Sequence, residues 1–220
     1  MRKLVFLGTN SVLERYIEAA EAQGLEIAGI IDSDWYGNRD EFAGLPILDT
    51  QDNVAQWNDH VFFIGTNWHP VAGRDIEKRQ RMIDLVRKHN LECVNLIEKQ
   101  TAISRDVVLG QGIYIGSHTT IDSGTVIEDF VTIGNQVNVG HHSQLGENTN
   151  LQQKVGVHAK IGSNTYVGMG TVVFKNGMIT IGNHVNIDPC LYVARDIIDG
   201  ERITLDREKL RIYRRLNESI

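Results

Sequence analysis

The stretch IYIGSHTTIDSGTVIEDFVTIGNQVNVGHHSQLG, residues 113–146, has an aliphatic side chain at every sixth position: Ile115, Ile121, Ile127, Ile133, Val139 and Leu145. The frame runs outward to Ile103 and Leu109 upstream and to Leu151 and Val157 downstream, ten consecutive positions spaced by six. Glycine or an acidic residue often follows the aliphatic one, as at Gly116, Asp122, Glu128 and Gly134, and many positions four after it hold Val, Thr, Ser or Ile. Self-similarity at this period reads as a parallel β-helix, in which three six-residue units of strand and turn complete a triangular coil with the aliphatic side chain inward. Residues one coil apart then stack at about 4.8 Å, which puts Ser123 beneath His141 and Gly124 beneath His142. Known structures with this repeat coil to the left, so a left-handed parallel β-helix is expected over residues 101–200.

After Val157 the frame slips. The aliphatics resume at Ile161, Val167 and Val173, then at Ile181, Ile187 and Val193, so one coil is two residues short and a later one is two residues long, around Lys175–Gly177. Such departures re-aim side chains and often lie near sites; a neutral insertion or deletion on a solenoid corner is the alternative.

The first hundred residues have a different logic. The runs KLVFLG, LEIAGIID, HVFFIGT and ECVNLI read as strands, and SVLERYIEAAEAQG and GRDIEKRQRMIDLVRKHN as amphipathic helices. Alternating strands and helices predict a mostly parallel, Rossmann-like α/β sheet over residues 1–100 whose ligands sit at the carboxyl ends of the strands. Those ends carry Gly8, Thr9, Asn10 and Ser11, then Asp32 and Asp34, then Gly65, Thr66 and Asn67. The acids either accept hydrogen bonds from a ribose or base or cap a turn, and Trp35, Tyr36 and Trp68 either stack on a base or pack the unit. No Gly-x-Gly-x-x-Gly follows the first strand, so a dinucleotide is not expected. The tail, residues 201–220, drops the repeat and reads as a basic helix that caps the open coil.

A net charge of −6 over 220 residues excludes nucleic acid as the main partner, since a phosphate-tracking surface needs a basic excess. Cys93 and Cys190 form no disulfide framework, no secretory leader pattern opens the chain and no 18-residue apolar run occurs, so a cytoplasmic protein without a membrane span is expected. His118, His141, His142 and His158 fall at different offsets of the repeat, which argues against a shared metal; His60, His69, His89 and His184 read as solvent-facing. The pair His141–His142 is either a reaction centre or a solvated turn.

A Rossmann-like unit joined to a hexapeptide β-helix resembles the bacterial sialic acid O-acetyltransferase and UDP-amino-sugar N-acetyltransferase (NeuD/PglD-like) family. The resemblance spans nearly the whole chain through VFLG, AGIIDSD, FFIGTN, NLIEKQTAIS, GHHSQLGENTNL and VNIDPCLYVARDIIDGE, in that order. It implies a homotrimer that transfers an acyl group, expected to be acetyl, from acyl-CoA to an amine or hydroxyl of a nucleotide-linked sugar in surface glycan synthesis, with no metal. It also implies that acyl-CoA lies between neighbouring β-helices, near Asn150 and Gly168, and that the sugar nucleotide lies near Gly8, Asn10, Ser11, Asp32, Asp34 and Thr66. His141, with Leu145 and Gly146 completing its setting, matches the family's general base.

The chain departs from the family at several points. His142 stands where an acid often follows the base, which leaves Ser123, a backbone carbonyl or a group of a neighbouring subunit as the expected orienting partner. Val12 stands where a substrate-contacting histidine is common, Asn150 where a second histidine touches the acyl donor, and DPCL and LDRE where the family has Gly-Ala-Gly-Ser and Gly-Asn-Pro-Ala. These departures keep two other readings open: a trimeric binding or scaffold protein with a degenerate groove, and a metal-dependent hydrolase or anhydrase.

Overall fold

A computed structural model describes residues 2–70 and 76–204. In the N-terminal unit β1 (Leu4–Leu7), α1 (Leu13–Ala22), β2 (Ile27–Ile31), β3 (Glu41–Phe42), β4 (Leu45–Asp49), β5 (Val61–Ile64) and α2 (Ile76–Lys88) follow in order. The sheet order is β3-β4-β2-β1-β5, parallel except for the β3–β4 pair. Strand side chains alternate between faces. Leu4 and Phe6 therefore pack with Leu13, Tyr16 and Ala20 of α1, while Val5 and Leu7 pack with Met82, Ile83 and Val86 of α2. Burial on both faces is why β1 is apolar throughout. Gly24 closes α1: at φ +74° its N–H reaches Glu21 O (2.9 Å) and the Leu25 N–H reaches Ala20 O (3.0 Å), satisfying the last carbonyls of the helix.

Two expectations change here. Within ECVNLI, Cys93 makes only an isolated bridge to Phe62, and Leu96–Ile97 pairs with Tyr114–Ile115 as the first rung of the β-helix. The remaining places in the N-terminal sheet go to β3, only two residues long, and to β4, LPILD, whose apolar run is interrupted by Pro46, the two joined by a tight turn. At the other end Arg202–Ile203 still pairs with Asn186–Ile187, so the coil runs into the stretch expected to be a helical cap; residues 205–220 of that expected cap lie outside the described residues.

The β-helix has three walls of stacked parallel two- and three-residue strands. The first wall contains Asn138–Val139, Gly156–Val157 and Val172–Val173, the second Gln144–Leu145, Ala159–Ile161 and Ile179–Ile181, and the third Thr132–Ile133, Asn150–Leu151 and Tyr166–Val167. The frame residues from Ile115 to Val193 form one buried core. Each regular corner has a fixed recipe. The residue three after the aliphatic one takes a left-handed φ, as at His118 (58°), Gln136 (59°), His142 (56°) and Asn148 (54°). The residue four after it is most often a buried Thr or Val, with Ser143 at the histidine corner, and where it is Thr its hydroxyl ties one coil to the next, as Thr119 to Gly134 O (3.0 Å) and Thr165 to Gly182 O (2.8 Å). The glycine that follows the aliphatic residue has a steric cause: a Cβ on Gly146 would lie 2.6 Å from Ser163 N.

The N-terminal unit docks on the third wall and its corner. Arg79 of α2 is buried, with Nε donating to Asn148 Oδ1 (2.7 Å), Nη2 to Phe130 O (2.8 Å) and Nη1 to Thr66 O. Burial pulls its guanidinium pKa down from the usual value.

Candidate active site

His141 and His142 occupy the corner between the first and second walls, where both are exposed. His142 is the left-handed residue of the turn; its N–H donates to Ser123 O (2.9 Å), and its ring lies over Gly124, where a Cβ would fall 2.8 Å from the ring. The glycine of the coil below is therefore what lets the imidazole lie down. In that position Nδ1 of His142 is 3.0 Å from Nδ1 of His141. One nitrogen must donate and the other accept. When His141 donates through Nδ1, its Nε2 carries the free lone pair and His142 keeps its own proton on Nε2. The orienting partner of His141 is thus His142, in place of the expected Ser123 or backbone carbonyl: the turn points the two rings at one another.

Both irregularities of the repeat fall on this same corner, in the next two coils. Gly156–Val157 and Ala159–Ile161 are joined by His158 alone, and the register pairs Val139 with Val157 and Gln144 with Lys160, so His141 and His142 have no residue above them. The Oγ of Ser143 still accepts a backbone N–H from the next coil, that of Ala159 (3.4 Å), as Thr119 accepts that of Val137 (3.3 Å). One coil higher the extra residues bulge outward as Phe174–Met178, with Lys175 bridged to Gly177. Shortening and bulge enclose a cavity of about 450 Å³ lined by His141, His158, Val157, Val172, Phe174 and Lys175, among others. The rings form a series: His142 to His141 at 5.2 Å, His141 to His158 at 4.7 Å and His158 to Phe174 at 5.9 Å. His158 was not among the expected catalytic residues. The slip of the frame at Val157 was the available signal, since it removes all but one residue from the corner above His141.

The strand tips of the N-terminal unit largely close on themselves, with the buried Thr66 hydroxyl left without a partner. Asp32 is fully buried; it accepts from Thr9 Oγ1 (2.8 Å) and from the Asp34 N–H (3.0 Å), and Lys78 lies 3.8 Å away. Gly8, at φ +75°, sits so close to Thr66 that a Cβ would fall 2.5 Å from its methyl group. Asn10 donates to Gly65 O and accepts the Val12 N–H (2.6 Å). Ser11 and Asp34 remain exposed. Asp34 pairs with Lys78 (2.5 Å) at the edge of a second cavity, about 290 Å³, with Ser33, Gln51 and Arg81. Trp35 donates to Thr9 Oγ1 (2.9 Å) under the guanidinium of Arg39, Tyr36 is exposed, and Trp68 is buried against Tyr166.

Asn150 and Gly168, expected to lie near the acyl donor, both make close contacts within the chain. Asn150 is fully buried on the third wall, and its amide nitrogen donates to Trp68 O (2.8 Å) and Asn67 Oδ1 (3.1 Å), so it docks the N-terminal unit. Gly168 is buried under the next coil, where a Cβ would lie 2.5 Å from Pro189 N. Neither lines the cavity at His141. The cause is topological, because each coil turns through three walls and nine residues carry the chain from His141 to a different face. His69 is half-buried: its Nε2 lies 2.6 Å from Tyr166 Oη, beside a junction cavity of about 110 Å³ that Val12, Arg15 and Gln152 help to line. Among the described residues no three His, Cys, Asp or Glu side chains are grouped to hold a metal ion.

Three short-strand walls with an α/β unit against one of them form a fold shared with several solved acetyltransferases. The chain superposes on the acetyltransferase domain of PglB from Neisseria gonorrhoeae over 92% of its length and 96% of that domain, at 18% identity and a TM-score of 0.78. WeeI from Acinetobacter baumannii aligns over 92% and 96% at 18% identity and a TM-score of 0.73. PerB from Caulobacter crescentus, solved with CoA and GDP-perosamine, aligns over 90% and 92% at 22% identity and a TM-score of 0.66. No protein-family model and no curated protein matches the chain.

Proposed function

We propose that this protein is an acyl-CoA-dependent transferase, using acetyl-CoA, that acylates an amine or hydroxyl of a nucleotide-linked sugar in bacterial surface glycan synthesis. The observation that carries the reading is the cavity at His141, where an imidazole held through Nδ1 leaves Nε2 as a base on a rigid wall. An imidazole ordinarily titrates near neutrality, which suits it to take the proton of an attacking amine or hydroxyl. The nucleophile loses its proton to His141 Nε2 as it attacks the thioester carbonyl; the tetrahedral adduct then expels the CoA thiolate, which takes up the proton from the imidazolium. The thioester is already activated, so no metal and no covalent enzyme intermediate is needed.

The likeness to a protein solved with CoA and GDP-perosamine, and to a PglB domain solved with acetyl coenzyme A, supports this choice of substrates. In this reading the β-helix coils to the left, and the N-terminal sheet is a Rossmann-like sugar-nucleotide domain that uses the exposed tip residues Ser11 and Asp34. Its tips and His141 lie on different faces of one chain, which fits a cytoplasmic homotrimer whose sites form between subunits. Among the described residues no helix is long and apolar enough to cross a membrane. The test is release of CoA thiol from acetyl-CoA with a panel of UDP-, dTDP- and GDP-amino-sugars: turnover that His141→Ala abolishes supports the reading. Calorimetry that detects no saturable acetyl-CoA binding overturns it in favour of a scaffold with a degenerate groove.

A further inference from the structure

The corner above His141 has an unmet need that His158 fits. As acyl transfer proceeds, negative charge develops on the carbonyl oxygen, and a site stabilises it with hydrogen-bond donors aimed at that oxygen. Four main-chain N–H groups that line the cavity are already committed. Gly140 N–H donates to Val157 O (2.7 Å), Gly156 N–H to Thr171 O (3.0 Å), His158 N–H to Val173 O (2.9 Å) and Phe174 N–H to Val193 O (3.0 Å). The two residues whose amides would stand over His141 in a regular coil are the two the frame lacks.

His158 takes their place. Its ring centroid is 4.7 Å from that of His141, both rings line the same cavity, and its Nε2 is buried without a hydrogen-bond partner. A buried N–H without an acceptor is the rarer and costlier form of an orphaned polar group, whereas a bare acceptor is better tolerated. The proton therefore belongs on Nδ1, the nitrogen that is not buried.

We propose that His158 is a catalytic residue: its Nδ1–H donates to the acyl carbonyl oxygen and stabilises the oxyanion while His141 Nε2 removes the proton of the acceptor. The balance is complete. The bond from the acceptor nitrogen or oxygen to carbon forms, the carbonyl π pair moves to oxygen beside His158 Nδ1–H, and its return expels the CoA thiolate, which is protonated by His141. The shortened coil is then the means by which a side chain replaces the amide that a regular coil would present. This inference rests on the proposed acyl transfer.

The test compares three substitutions. Asn places an amide N–H near the position of histidine Nδ1, Gln places one near Nε2, and Phe keeps a ring without a donor. His158→Phe is expected to lower kcat by about 10²–10³-fold with little change in KM for acetyl-CoA and no loss of thermal stability. His158→Asn should recover part of kcat and His158→Gln should not. A Phe variant as fast as the wild type, or rescue by Gln in place of Asn, overturns the assignment. A readout without turnover uses the methyl ketone analogue of acetyl-CoA and ¹⁵N NMR: the His158 resonances should report an Nδ1-protonated ring and shift when the analogue binds. Binding without that shift overturns the role of His158 alone; absence of any binding overturns the acyl-transfer reading with it.

Discussion

The strand tips of the N-terminal unit and the corner at His141 are built from similar small polar and titratable residues, and they differ in how far those groups are satisfied within the chain, although at the tips the buried Thr66 hydroxyl has no partner. At the tips the buried carboxylate of Asp32 is shared between Thr9 and Asp34, and Asn10 is engaged at both ends of its amide. At the corner two imidazoles are exposed beside a cavity of about 450 Å³, and a third keeps a buried nitrogen without a partner. Internal partners stabilise a fold, while a group left without one in a walled space is available to a ligand. Similar residue types therefore serve as structure in one region and as a site in the other.

The largest expected effect breaks the corner without touching the fold. His141→Ala should reduce turnover by about 10²–10⁴-fold, the usual contribution of a positioned base, with an unchanged circular dichroism spectrum. The reverse is expected at the junction. Arg79→Ala leaves the Phe130 and Thr66 carbonyls and the Asn148 side chain without their donor and should cost roughly 3–5 kcal/mol in chemical denaturation. Arg79→Lys should rescue it poorly, since an ammonium cannot reproduce the planar fork.

Asp32→Ala sharpens the contrast further. If the tip carboxylate is structural, stability falls by about 1–3 kcal/mol while affinity for a nucleotide sugar changes little; a loss of affinity at constant stability would make it a ligand contact. The smallest effect is on the two thiols. Burial pushes the Cys93 thiol up from its ordinary range to about 12, whereas Cys190 is exposed. At pH 8 a thiol reagent should modify one cysteine of the native protein quickly and the second only after unfolding. The raised value also sets a sign: the unfolded chain loses this proton from near pH 9 and the folded one only near 12, so stability falls as pH rises across that window. Cys93→Ala should flatten the fall.

The β-helix was legible because its rule is local and repeated. An inward aliphatic at every sixth residue, the left-handed position three after it and the glycine that follows it are each imposed by the coil below, so one stretch states the rule for all. Even the stacking of His142 over Gly124 followed from the period. The N-terminal unit was only partly legible: β1, β2 and β5 are apolar runs, but β3 has two residues and β4 is an apolar run interrupted by Pro46, and ECVNLI has the composition of a central strand while belonging mainly to the first coil. Of the candidate site, the position of His141 was readable. The commitment of Asn150 to Trp68, the closure of Asp32 on Thr9 and the approach of His158 to His141 were not.

The sequence by itself determined the period, the inward set, the place of the two frame slips and the histidine pair on a corner, because each is a relation between residues at fixed separation along the chain. Only the tertiary structure decided that both slips lie on the corner of His141, that His142 turns its nitrogen to it, and that Asn150 faces the N-terminal unit. Those relations depend on which wall a residue faces and on what packs against that wall. Burial and hydrogen-bond partners come from distant segments, and no local pattern specifies them.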